Sequence, residues 1–282
     1  MDRGIRARLE QELGTGISAV RGLGGQHGVA HFRLQLATGP AAFAKVGRGF
    51  AAEASGLGWL ADAGAAVPAV LAVAEDFLVI DWIETSAPEA RAALCFGREL
   101  AALHAAGAEV FGAPWPGEIA GLPLPNEAAP PDRGWAPWYA AARVLPYVRL
   151  ARDQGVLTAA EAGLAEAAAG HAAQVAGPAE PPARIHGDCW SGNVLWSGGR
   201  GWLIDPAAHG GHRETDLAML ALFGAPYLDR ILAGYQEAAP LADGWRGRVP
   251  LHQLHPLLVH CCLFGRSYAA PALAAARAVL AL

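Results

Sequence analysis

Asp188 and Asn193 are separated by four residues in the run His186-Gly187-Asp188-Cys189-Trp190-Ser191-Gly192-Asn193, and Asp205 follows at the end of the apolar run Trp202-Leu203-Ile204. This ordered D-x-x-x-x-N…D pattern suits phosphoryl transfer. Such a reaction needs a carboxylate to orient or deprotonate an attacking hydroxyl, the role assigned to Asp188. It also needs hard oxygen ligands to hold Mg²⁺ among the phosphates, the role assigned to Asn193 and Asp205. An HGD triplet alone would equally suit a turn with a capping Asp; the full ordered set argues against that.

Composition singles out a further residue. Lys45 is the only lysine in the chain, and Asn126 and Asn193 are the only asparagines, against a background rich in Ala, Gly, Pro and Arg. A residue that survives a general pressure against its type is one whose chemistry is needed, which selects Lys45 and Asn193. Lys45 lies in an expected strand and Glu53 on the helix after it. A kinase needs such a pair, a lysine for the α- and β-phosphates of ATP and a carboxylate to hold that lysine. Upstream, Gly24, Gly25 and Gly28 in the segment Leu23 to Ala30 are placed to cover phosphates with backbone N–H groups. Asp81, Trp82 and Ile83 offer backbone for pairing with adenine.

The elements that must position these groups follow from periodicity. A helix is expected from Ile5 to Leu13, then a strand, a loop over Leu23 to Ala30, and strands over His31 to Leu36 and Ala42 to Val46. A helix over Ala51 to Ala63 precedes two more strands, Val70 to Val73 and Phe77 to Ile80. Beyond Glu84 helices dominate, over Glu89 to Ala106, Trp138 to Gln154, Thr158 to Val175 and most of the chain after Glu214. The Pro- and Gly-rich stretch from Gly112 to Pro137 reads as an ordered excursion, and Ser197-Gly198-Gly199 as the turn of a hairpin joining Asn193 to Asp205. The expected fold is α+β. An ATP-binding lobe rich in β-structure spans residues 1–83, and an α-rich catalytic and substrate lobe spans residues 84–282.

Several function classes are disfavoured. A net charge of −5 and a hydrophobic content of 53% describe a chain with a sizeable core and no basic footprint for nucleic acid. The N-terminus does not read as a secretion signal. The apolar stretch Leu251 to Leu282 is broken by His260, Arg266 and Arg277, so buried helices are expected rather than a membrane span. A cytoplasmic setting is the expectation. Cys95, Cys189, Cys261 and Cys262 have neither disulfide nor zinc spacing, and His252, His255 and His260 lack carboxylate or thiol company for a metal.

The run His186 to Val194, then Ile204-Asp205-Pro206-Ala207, then Gly211-His212-Arg213-Glu214-Thr215-Asp216-Leu217-Ala218-Met219, resembles the fructosamine/ketosamine kinase family, within the aminoglycoside-phosphotransferase-like group. The resemblance spans nearly the whole chain and includes Leu100-Ala101-Ala102-Leu103-His104. It implies a bilobal protein-kinase-like fold and ATP- and Mg²⁺-dependent phosphorylation of a sugar hydroxyl on a ketosamine, free or protein-linked. The 3-phosphate so formed is unstable and frees the amine. It further implies Trp190 as a wall for the sugar, with core packing the equal alternative; His260 could reach the substrate pocket, but a satisfied helical histidine is the favoured reading. Asp216 is implied as a brace of the loop carrying His186, with His212 and Arg213 beside it. The chain departs from the family at Cys189, at His209 and in Gln26-His27-Gly28-Val29, changes that bear on substrate preference. Other readings are a kinase of the aminoglycoside or choline type and a non-catalytic nucleotide-binding pseudokinase, which would be expected to have lost Lys45, Asp188 or Asp205.

Overall fold

A computed structural model of the chain describes residues 1–26 and 28–282. The first helix, α1 (Arg3–Leu13), is capped by Asp2, whose carboxylate accepts from the Ile5 N–H at 2.9 Å, and is stopped by Gly14 in the left-handed region. Next come β1 (Ile17–Gln26), β2 (Val29–Leu36), β3 (Ala41–Val46), α2 (Ala51–Asp62), β4 (Val70–Ala74) and β5 (Phe77–Asp81). The strands form one antiparallel sheet in the order β1-β2-β3-β5-β4.

Strand alternation decides which residues meet which layer. Ala42 and Ala44 of β3 pack with Leu34, Phe77 and Val79 under Leu9 of α1. Phe43 turns to the opposite face, toward Leu78, Ile80 and the α2 residues Leu57 and Leu60. Lys45, two residues on, projects from that same face, toward α2 and the helical part of the chain.

One expectation is corrected here. The segment Leu23 to Ala30 was expected as a loop, but β1 runs on to Gln26 and β2 begins at Val29. Gly25 is needed for this hairpin itself, since a Cβ there would lie 2.2 Å from the Val29 carbonyl oxygen. His27, also part of that segment, lies outside the described residues.

The remaining chain is mostly helical. It comprises α3 (Ala90–Ala105), a hairpin of β6 (Gly117–Ile119) and β7 (Leu122–Leu124), and α4 (Trp135–Tyr139), which continues through a π turn at Ala140–Val144 into α5 (Leu145–Asp153). Then follow α6 (Ala159–Val175), β8 (Ala183–Ile185), β9 (Val194–Ser197), β10 (Arg200–Leu203), β11 (His209–Gly211), α7 (Glu214–Leu222), α8 (Leu228–Ala238), α9 (Trp245–Phe264) and α10 (Ala269–Leu280). The fold is α+β, with the antiparallel sheet N-terminal to the helical part.

Three features of this part matter for positioning. The stretch from Gly112 to Pro137 is ordered, and its second half is pinned by Asn126, whose side-chain oxygen accepts from the buried Arg143 guanidinium at 2.8 Å. Helices α3 and α8 cross at two glycines; a Cβ on Gly97 or Gly234 would lie 2.0 Å from the Ile231 or Leu94 carbonyl oxygen respectively. The stretch Trp245–Leu280 is long and apolar enough to cross a membrane by length and composition. Here it is broken by a 3₁₀ turn at Gly265–Tyr268, and its two helices pack together with α6 through Leu254, Leu258, Ala272 and Ala276.

Candidate active site

The hairpin β9–β10, paired from Val194↔Leu203 to Ser197↔Arg200, brings Asn193 and Asp205 to one end, and the Ile204 N–H donates to the Asn193 carbonyl at 3.0 Å. Asn193 sits at the end of a 3₁₀ turn (Ser191–Asn193) and is buried. Its Nδ2 donates to the Asp188 carbonyl at 2.9 Å and to Asp188 Oδ2 at 3.0 Å, which leaves its Oδ1 as an acceptor. Asp205 has φ 53°, a left-handed conformation uncommon for a side-chain-bearing residue.

From the sheet, Lys45 Nζ lies 2.9 and 2.8 Å from the two Glu53 oxygens and 2.9 Å from Asp205 Oδ1. The lysine therefore ties β3 and α2 to the end of β10. Burial alone would lower its pKa, but Glu53 and Asp205 outweigh that and hold the ammonium above its ordinary value. The N-terminal part of α2 approaches closely because Gly56 faces Pro206 and Ala208, where an added Cβ would meet both at 3.2 Å.

The loop carrying Asp188 is held from behind. Buried Asp216, on α7, accepts from the His186 N–H at 2.7 Å and the Gly187 N–H at 3.0 Å, and its Oδ2 lies 3.1 Å from Nε2 of buried His104. Tyr235 hydroxyl completes the chain at 2.8 Å from His104 Nδ1. Burial opposes ionisation of Asp216, yet the His104 hydrogen bond and the nearby imidazoles and N–H groups keep its pKa below the usual value. His186 Nε2 donates to the Ile204 carbonyl at 2.9 Å while its Nδ1 accepts from the Asp188 N–H at 3.3 Å, and burial lowers its pKa, so it is neutral. Gly187 has φ 82°, and a Cβ there would lie 2.2 Å from the Ala207 carbonyl. Asp188 itself is pushed up to about 7 by burial, opposed by the Asn193 hydrogen bond and reinforced by the charges of Asp205 and Asp216.

Lys45, Glu53, Asp188, Asn193 and Asp205 all line one cavity of about 650 Å³, which Trp190 and His260 also reach. Trp190 is thus a cavity residue at 37% exposure, with its ring edge-on to Phe223 at 6.1 Å. Gly24, Gly25, Gly28, Asp81, Trp82 and Ile83 are not among the residues lining this cavity. Asp81 has a local use, its carboxylate accepting from the Ala69 N–H at 3.1 Å, and Trp82 lies under the Arg33 guanidinium at 4.7 Å.

His212 and Arg213 are likewise off the cavity. Arg213 makes two 2.8 Å bonds to Glu180 and also reaches the Ala239 and Pro240 carbonyls. His212 is buried beside Trp135 and His252. The expectation that His252 has no carboxylate nearby is corrected, since its Nε2 lies 3.3 Å from Glu214 Oε2, and His212, Glu214 and His252 could together hold an ion. Glu214 is already neutralised by Arg248, at 2.5 and 2.9 Å, so the group is a charge-compensated buried network.

Several cavity residues carry no mark in the sequence, among them Glu118 on β6, Phe223 after α7, Phe264 at the end of α9 and Tyr268 in the turn that follows. In sequence they look like ordinary helix-end or loop residues. His104 stood only as part of the resembling Leu100–His104 segment, and the structure makes it the partner of Asp216.

Proteins of known family resemble this chain in sequence and in fold. A family model described as fructosamine kinase matches residues 34–281. "Probable ketoamine kinase YniA" of Escherichia coli (strain K12) is 34% identical over 224 residues, covering 77% of this chain and 76% of the relative. "Probable ketoamine kinase TTHA1179" of Thermus thermophilus is 35% identical over 221 residues, covering 78% of each. A crystal structure of a fructosamine-3-kinase candidate from Thermobifida fusca superposes with a TM-score of 0.96 at 47% identity over 100% of both chains. The aminoglycoside phosphotransferase APH(4)-Ia, in a thermostable mutant form, superposes with a TM-score of 0.66 over 98% of each chain; at 17% identity this is a likeness of fold.

Proposed function

Because this chain belongs to the fructosamine kinase family, whose members are ATP-dependent phosphotransferases, we propose that it transfers the γ-phosphoryl group of ATP to a sugar hydroxyl of a ketosamine. The observation that carries this reading is the junction of Lys45 with both Glu53 and Asp205 on the cavity that holds Asp188 and Asn193.

Asp188 accepts the proton of the acceptor hydroxyl as that oxygen attacks the γ-phosphorus, and ADP departs with the electrons of the broken P–O bond. A base whose pKa is raised to about 7 is matched to this task near neutral pH. Asn193 restrains the Asp188 carboxylate through Nδ2 and keeps its own oxygen for a cation, and Asp205 supplies a carboxylate. This hard oxygen donor set fits Mg²⁺, which when bound neutralises charge on the phosphates. Lys45 has three N–H donors, and Glu53 and Asp205 engage all three. Phosphate can take one of them only as Asp205 turns to a cation, which couples nucleotide binding by the lysine to metal binding by the aspartate. The ester on the sugar's third carbon would then break down and free the amine, a deglycation.

Asp188→Asn should abolish turnover while leaving ATP binding within about twofold by calorimetry, because the substitution removes the base and not the lysine. Retained turnover would remove Asp188 from this role.

A further inference from the structure

The cavity is divided by polarity. Lys45, Arg48, Glu53, Glu118, Asp188 and Asp205 carry the charges of its lining, and Trp190, Phe223, His260, Phe264 and Tyr268 form an aromatic wall beside them. These rings form a continuous chain: Trp190 to Phe223 at 6.1 Å, Phe223 to His260 at 5.1 Å, and His260 to Phe264 and Tyr268 at 5.4 and 4.8 Å. Trp190, Phe223 and Phe264 are 37%, 38% and 52% exposed, large apolar surface left open at the mouth of a reactive site. No carboxylate belongs to this wall. Arg266, within the turn that ends at Tyr268, is paired with Glu161 at 2.5 and 2.6 Å.

His260 adds one directed polar atom. Its Nδ1 lies 2.7 Å from the Pro256 carbonyl, to which it can only donate, so Nε2 is left as an acceptor. Burial lowers the pKa of this imidazole, which favours the neutral, accepting form. The wall therefore offers a hydrogen-bond acceptor set among aromatic faces.

We propose that this aromatic wall is the subsite for the amine half of the acceptor, and that it selects a single ammonium bearing an apolar or aromatic substituent. The inference rests on the ketosamine-kinase reading and adds the class of amine. The nitrogen of a ketosamine is a secondary amine, protonated near neutral pH and bonded to the first carbon of the sugar. With the sugar hydroxyl at Asp188, the ammonium would face the wall that begins two residues on at Trp190. Aromatic faces attract it through their quadrupoles, and His260 Nε2 can accept its N–H. The substituent beyond it buries against Phe223 and Phe264. On this wall a carboxylate beside the amine would meet no cation and a polycation no carboxylate, since the cavity's charges stand with Lys45, Arg48 and Glu118.

The test uses the full chain with ATP and Mg²⁺ and a panel of ketosamines sharing one sugar, made from benzylamine, butylamine, glycine and spermidine. Burial of a ring-sized substituent predicts kcat/KM roughly ten- to a hundredfold higher for the benzyl compound than for the glycine or spermidine compounds, carried mainly by KM, with the butyl compound between them. Phe264→Ala should shrink the benzyl-to-glycine ratio by about tenfold. Phe264→Leu, which keeps apolar bulk but loses the aromatic face, should retain part of it. Equal kcat/KM across the panel, or a Phe264→Ala loss that is the same for every compound, overturns the proposal while leaving the kinase reading intact. Phosphorylation of no ketosamine at all overturns the kinase reading, and this proposal with it.

Discussion

Replacing Asp216 by Asn tests whether the loop carrying Asp188 is positioned from behind. Three donors converge on the Asp216 carboxylate: the His186 N–H at 2.7 Å, the Gly187 N–H at 3.0 Å and His104 Nε2 at 3.1 Å. An amide keeps one oxygen and must turn its NH₂ toward at least one of these buried donors. A buried N–H left without an acceptor costs about 1–3 kcal/mol, and loss of charge from the remaining bonds adds about 1 kcal/mol. The expected destabilisation is roughly 2–4 kcal/mol, or a Tm lower by about 4–10 °C for a chain of this size. The loop should also shift, and a misplacement of about 1 Å at the reacting groups lowers kcat by on the order of a hundredfold. KM for ATP should change little, because Lys45 and Glu53 are untouched. Thermal unfolding by circular dichroism and steady-state ADP release measure the two effects on one preparation. A variant with Tm within about 1 °C of the parent and kcat within about twofold would refute the positioning argument.

Three further outcomes follow from the same geometry. Asp188 is raised to about 7 by burial and by its acidic neighbours, and it acts deprotonated, so kcat/KM should plateau above pH 7 and fall about tenfold per unit below it. An acid limb near an ordinary carboxylate value of about 4 would contradict this. Glu214 is lowered from 4.5 to about 2, burial being outweighed by the nearby His252 imidazole and the bonds from Arg248. A folded-state pKa below the unfolded one gives stability that is complete above about 4.5 and lost as pH falls toward 2. Glu214→Gln should flatten that slope in urea titrations and cost about 3–5 kcal/mol at pH 7, by stranding Arg248. Gly97→Ala, whose Cβ would lie 2.0 Å from the Ile231 carbonyl, should destabilise by about 1–3 kcal/mol, whereas Gly170→Ala in α6, with nothing within 4 Å, should stabilise by up to about 1 kcal/mol. Urea midpoints compare the two, and equal shifts would remove the close α3–α8 crossing as the cause.

That Lys45, Glu53, Asp188, Asn193 and Asp205 share one cavity was legible in the sequence because these groups are marked by type and spacing. Asp188, Asn193 and Asp205 come as an ordered set on a recognisable hairpin. Lys45 is marked by being the only lysine, and the structure joins it to Glu53 and Asp205. The same rarity applied to Asn126, which proves to anchor an ordered excursion through Arg143 rather than to touch the cavity. Strand alternation recovered most of the N-terminal sheet. It failed at Gly24 and Gly25, where glycine serves a tight hairpin and not a loop.

What stayed hidden depends on contacts distant in sequence. β11 reads His209-Gly210-Gly211 and has no strand propensity, yet it pairs with β8, where Gly211 leaves room for the Ile185 side chain 2.4 Å from where a Cβ would stand. The His104–Asp216 contact spans 112 residues, and the Glu214 carboxylate beside His252 comes from a different helix. Phe223, Phe264 and Tyr268 lie at helix ends, where periodicity does not separate a core aromatic from a cavity wall.

The most direct measurement is incubation of the purified chain with ATP, Mg²⁺ and ribulose- and fructose-amines, with mass spectrometry on the small molecules. A mass gain of one phosphate on a ketosamine is expected, absent with Asp188→Asn. Unmodified ketosamines alongside a phosphorylated aminoglycoside would contradict it.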